Sequence, residues 1–120
     1  MRSKELERAQ HIRDCLAKLP ALKNYSNRLK GAPAELMENG LLQTLAFYRS
    51  KKEEYGHLAE DLESWLAKSG LIAPTGDRDA VDVLATLPAV QYRRCSEEAI
   101  AWLNLAKRLA LAKMAMAGEE

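Results

Sequence analysis

Tyr92-Arg93-Arg94-Cys95-Ser96-Glu97-Glu98-Ala99-Ile100-Ala101-Trp102-Leu103-Asn104-Leu105-Ala106-Lys107-Arg108-Leu109-Ala110 is the core of the longest unbroken helical pattern in the chain, and every earlier segment has to pack on it. Cys95, Ala99, Trp102, Leu103, Ala106, Leu109 and Ala110 recur at three- and four-residue spacing. At about 3.6 residues per turn this gathers them into one stripe facing a core. The pattern predicts a helix over 88–116. Pro88 stands in the first turn, where its missing N–H costs nothing, and Gly118 marks the end. Arg93, Glu97, Ile100, Asn104, Lys107, Arg108 and Leu111 fall on the opposite face, with Arg94 at its edge. Two bare aliphatics among charges, Ile100 and Leu111, read either as ordinary surface or as a partner contact whose register the charges set.

Upstream, Ser3 is placed to cap a first helix, with Glu5 and Glu7 in its first turn, where the helix dipole favours them. Leu6, Ala9, Ile12, Leu16 and Leu19 form its expected inner face, His11 is expected to project outward, and Pro20 stops it. A short helix over 21–30 closed by Gly31 is expected next, then one from Pro33 to Asn39-Gly40, then one over 41–52. The basic end of that last piece, Arg49-Ser50-Lys51-Lys52, either complements the exposed carbonyls or faces phosphate. Tyr55, Leu58, Leu62, Trp65 and Leu66 mark an amphipathic helix over 55–69. An exposed loop over 71–78 and a short helix over 80–87 capped by Asp79 follow. Valines and threonines are too scattered for alternating strands. The expectation is all-α: a compact single-domain bundle of about five to six helices over residues 1–120, with a long C-terminal helix.

Charge and composition narrow the function. The net charge of +1 hides an uneven distribution: residues 1–30 carry eight Lys/Arg against three acids, whereas 61–90 carry two against five. A protein binding nucleic acid tightly on its own needs a larger positive field, but one adding a few phosphate contacts inside an assembly does not. No apolar run approaches the roughly 20 residues that span a bilayer, and the charged N-terminus lacks a signal-peptide core, so a cytoplasmic protein without membrane contact is expected. Cys15 and Cys95 are the only cysteines and read as small buried hydrophobes. With His11 and His57 they show no metal-ligand spacing, so neither metal nor other cofactor is expected.

No catalytic residues are signalled. Glu53-Glu54, Asp61-x-Glu63 and Glu97-Glu98 are helical neighbours that point apart, and the six glycines are single punctuation marks that form no phosphate loop. Phosphate contact is better supported, by Arg93, Arg94, Lys107 and Arg108 along the last helix and by Arg49 and Lys52. An i, i+4 pair between Arg94 and Glu98 would remove part of that patch. Aromatic platforms for bases look sparse, because Trp65, Trp102 and Phe47 are expected in the core; only Tyr25, Tyr48 and Tyr92 stay open.

Two stretches go beyond this general pattern. Pro33-x-x-Leu36-Met37-x-Asn39-Gly40-Leu41-x-Gln43-Thr44-Leu45-Ala46-Phe47, followed by Lys51, resembles the central signature of the small helical subunit of the type III-B CRISPR Cmr effector complex. Tyr92-Arg93-x-Cys95-Ser96-x-Glu98-Ala99, Trp102-Leu103 and Lys107-Arg108-x-Ala110 resemble that family's other signature. Ser96 and Leu109 stand where the pattern has Thr and Phe, keeping a hydroxyl and an apolar side chain.

The resemblance implies a non-catalytic subunit that stacks with copies of itself along a backbone loaded with CRISPR RNA. Its implied partners are the backbone subunits, the large subunit, and the crRNA and target RNA within the complex. Gly40 is then structural, with Asn39 as its cap partner. The competing reading is a helical protein–protein adaptor without nucleic-acid contact, docking through Ile100 and Leu111.

Overall fold

A computed structural model of the chain describes residues 2–51, 53–73 and 79–118. Among them run α1 (Lys4–Ala17), α2 (Leu22–Asn39), α3 (Leu41–Ser50), α4 (Glu54–Lys68), α5 (Ala80–Ala85) and α6 (Ala89–Met116). No strand occurs among the described residues, so the all-α expectation holds. The long C-terminal helix lies where its period put it. Of the loop expected over 71–78, residues 74–78 fall outside the described part, as does Lys52.

The order of packing follows the apolar stripes. α6 lies along α2 and α1, while α4 packs on α3 and closes against α6. Cys95, Ala99, Trp102, Leu103, Ala106 and Ala110 are all fully buried, so six of the seven residues assigned to the α6 stripe are core, with Leu109 half-buried at its margin. Opposite them stand Ile12 of α1, Tyr25, Leu29, Ala32 and Leu36 of α2, and Leu58, Leu62, Trp65 and Leu66 of α4. Small residues at 99, 106 and 110 let neighbouring helices approach the backbone of α6, and the two tryptophans fill the space beside them.

Segment 21–39 departs from expectation. It is one helix, α2, running through both Gly31 and Pro33. Proline in a helix interior forfeits one ladder hydrogen bond and costs about 3 kcal/mol. Tyr25, Leu29, Ala32 and Leu36, however, are spaced to form a single buried stripe, and burying four such side chains outweighs that cost only if the helix stays continuous. The break comes at Gly40, whose φ of 86° and ψ of 159° only glycine adopts readily. Asn39, the last residue of α2, does not cap the turn: its side chain makes no hydrogen bond among the described residues, and the N-cap of α3 is Gly40 itself, which has no side chain to offer. Instead the Leu42 N–H donates to the Tyr92 hydroxyl at 2.9 Å, so α6 supplies the missing acceptor.

The two glycines therefore predict opposite outcomes for the same substitution. Gly40→Ala is expected to lower stability by about 1–3 kcal/mol, because its backbone conformation excludes a Cβ. Gly31→Ala is expected to raise it by about 0.5–1 kcal/mol, since the added methyl would meet nothing closer than Glu35 Oε1 at 3.7 Å in a helical site. Urea denaturation of both variants checks this. A neutral Gly40→Ala would mean that the turn relaxes into another conformation.

Candidate nucleic-acid interface

Arg93, Arg94 and Arg108 are exposed on the outer face of α6 and Lys107 is half-buried beside them. Arg93 and Arg108 are about 22 Å apart along the helix axis at about 1.5 Å per residue. None of the four joins an ion pair among the described residues. The i, i+4 pair between Arg94 and Glu98 does not form. Glu98 is turned inward, where its Oε1 accepts from Arg8 Nη2 at 3.0 Å and its Oε2 accepts from Trp65 Nε1 at 2.9 Å and from Arg8 Nε. Burial alone would raise the Glu98 carboxyl, but the hydrogen bonds from Arg8 and Trp65 prevail and hold it below the usual range. Arg94 is left to the outer face.

The other expected contacts are placed differently. Arg49 is clamped on the buried Glu63, its Nε donating to Oε2 at 2.9 Å and its Nη2 to Oε1, with Asp79 Oδ1 3.6 Å away. Its guanidinium ties α3 to α4 and to the N-cap of α5. Ile100 is half-buried against the core, whereas Leu111 is 42% exposed. The apolar pair expected on one face is thus reduced to Leu111.

Two aromatic or titratable residues reverse their expected positions. His11 points inward, between Trp65 and Trp102, and is buried. Trp102 Nε1 donates to its Nδ1 at 3.0 Å. The proton of the neutral ring is therefore on Nε2, which lies 3.1 Å from Ser64 Oγ. Burial, helped by Lys68, pushes the imidazole below its ordinary pKa. Beside it, buried Tyr25 donates to Asp61 Oδ2 at 2.6 Å, and burial with the nearby Asp61 raises the Cys15 thiol to about 12. Such a thiol stays protonated and unreactive. Leu6, expected inside, is half exposed.

Phe47 moves the other way: it is 46% exposed. Its ring meets Tyr55 edge-on at 5.9 Å and Tyr48 at 6.1 Å. Lys51 Nζ lies over it at 5.3 Å and Arg28 lies over Tyr55 at 4.7 Å, neither cation in an ion pair among the described residues. Beside Phe47 is a recess of about 230 Å³ walled by Glu35, Asn39, Gln43, Thr44 and Tyr48. The period of α3 carried the signal, since Phe47 falls on the side of Gln43 and Ala46, opposite Leu41, Leu45 and Tyr48.

Among the described residues, no three His, Cys, Asp or Glu side chains are grouped to hold a metal, and no helix is long and apolar enough to cross a membrane. A family model described as CRISPR-associated protein (Cas_Cmr5) matches residues 4–113. The chain belongs to that family. It is thus a small subunit of a type III-B CRISPR-associated Cmr complex, and its partners are other subunits of that complex. No curated protein matches the sequence. The two family-like stretches read from the sequence touch in space, where the Tyr92 hydroxyl of the second accepts the Leu42 N–H of the first. In this Cas_Cmr5 chain, that contact ties together two segments 50 residues apart.

Proposed function

We propose that this subunit is a non-catalytic spacer that stacks along the crRNA-loaded backbone of its complex and lines the target-RNA channel with the outer face of α6. The observation that carries the reading is the set Arg93, Arg94, Lys107 and Arg108. Four cations share one side of the longest helix, without carboxylate partners among the described residues, in a chain whose family works in an RNA-guided complex. Cations left unpaired on a rigid rod give an electrostatic surface that holds a backbone without reading its sequence. Arg49 plays no part in this reading, because Glu63 and Asp79 already occupy it. Stacking of copies is supported by the charge asymmetry between residues 1–30 and 61–90.

The test is target-RNA binding by the complex reconstituted with the wild-type chain or with all four residues changed to Ala, across a salt series. The expected result is weaker binding at low salt. The dependence of log K on log salt should also be shallower, by about 0.7 for each phosphate of a single strand that is no longer neutralised. Assembly, followed by size-exclusion chromatography, should be intact. Unchanged affinity and slope would reject the phosphate-contact role and make the same face a protein-docking surface.

A further inference from the structure

We infer that the recess beside Phe47 is a nucleobase subsite. There one base of a single-stranded RNA stacks on the Phe47 ring, while Asn39, Gln43 and Glu35 contact its edge and Lys51 its phosphate. The inference rests on the RNA reading above but concerns a different face, built by the end of α2 and by α3.

Three observations converge on it. First, Phe47 is nearly half exposed, and its ring is braced from one side by Tyr55 of α4, whose ring plane stands at 71° to it, so the ring is supported yet only partly covered. Aromatic rings presented in this way are the platforms on which single-stranded nucleic acids stack. Second, Gln43 and Phe47 stand at i and i+4 on α3, about 6 Å apart along its axis, and Lys51 at the C-cap of that helix brings its ammonium back over the Phe47 ring at 5.3 Å. Lys51 has no carboxylate partner among the described residues and lies over the ring. A base that displaces it leaves the ammonium beside the base's own phosphate.

Third, the walls of the recess carry hydrogen-bonding capacity that the fold does not use. The side chains of Asn39 and Gln43 are exposed and make no hydrogen bond among the described residues. Asn39, as shown, does not cap α3. Glu35 Oε1 accepts from the Tyr48 hydroxyl at 2.7 Å, which fixes the carboxylate and leaves Oε2 as an acceptor. A fixed carboxylate oxygen favours a base with an exocyclic amino group, namely adenine, cytosine or guanine, over uracil.

The experiment uses the full chain at low salt, titrated with A6, C6 or U6 RNA and followed by two-dimensional NMR. The expected result is perturbation of the Asn39 and Gln43 side-chain amides and of the Phe47 ring, larger with A6 and C6 than with U6. Phe47→Leu keeps an apolar side chain but removes the stacking face, and should weaken A6 binding about tenfold. Phe47→Trp should retain it. Perturbations that spare these residues, or Phe47→Leu binding like wild type, would overturn the inference. If the α6 variant loses RNA affinity while the Phe47 recess does not respond, the phosphate reading stands and the subsite falls. If the recess responds while the α6 variant behaves as wild type in the complex, the subsite stands and that reading falls. A recess silent to RNA but perturbed on adding another Cmr subunit would make it a protein contact, against the inference.

Discussion

Trp102→Ala is expected to cost about 3–5 kcal/mol, a large part of the roughly 5–15 kcal/mol that holds a domain of this size folded. Trp102 is fully buried at the centre of the α6 stripe, so its removal leaves a cavity where α1, α4 and α6 meet. It also strips the Nδ1 of His11 of its donor. At about 4 °C for each kcal/mol, the melting temperature should fall by on the order of 12–20 °C in thermal circular dichroism. Trp102→Phe preserves most of the bulk and should cost about 1–2 kcal/mol, mainly for the unpaired nitrogen.

The same site sets a pH dependence. His11 is held neutral in the folded chain, with its pKa depressed by burial, so below about 6.5 the unfolded chain binds the proton more readily. The stability it contributes is fully present above that value and is lost as pH falls through the depressed folded value. Urea titrations at pH 7.5 and at pH 5.5 should show the loss in the wild type and a smaller one in His11→Gln. An equal loss in both would assign the effect to other groups.

Glu98→Ala is expected to cost about 3 kcal/mol. Removing one partner of a buried ion pair leaves the other desolvated and unpaired, which is worse than deleting both. Here two donors are orphaned, the Arg8 guanidinium and the Trp65 indole N–H, and the tie between α1, α4 and α6 is cut. The Arg8 side chain keeps 21% of its exposure and so retains some access to water, which places the cost at the lower end of the range for buried pairs. Arg8→Ala combined with Glu98→Ala should cost less than the two single changes summed. Strict additivity would mean that the pair contributes nothing beyond its separate packing.

Because the Glu98 carboxyl is held below its ordinary range, this stabilisation is present above the usual carboxylate pKa and disappears as pH falls through the depressed one. The His11 and Glu98 effects therefore occupy different pH windows.

Where a segment is long and its apolar residues keep one period, sequence and structure agree. The α6 stripe, the inner face of α4 and the Asp79 cap of α5 all stand as the residues indicated. Disagreement comes at residues on the boundary of a stripe. His11 lies a full residue step from Ile12 on α1, and only the meeting of Trp65 and Trp102 over that edge turns it inward. Phe47 has the size of a core residue, yet the α3 period sets it with Gln43. Gly31 and Pro33 carry strong local stop signals, and a continuous stripe of four buried side chains overrides them.

The amino-acid order alone therefore determined the helical class, the long terminal helix, the separation of charge and the family to which the chain belongs, because each depends on local period or on residues in a fixed pattern. Tertiary structure decided which polar groups found partners. Tyr25 with Asp61, Arg8 with Glu98 and His11 with Trp102 join residues 36, 90 and 91 positions apart, so no local rule pairs them. A buried donor or acceptor takes whichever partner the packed helices bring within about 3 Å, and packing likewise decided that Arg49 is paired while Arg93, Arg94, Lys107 and Arg108 join no ion pair among the described residues.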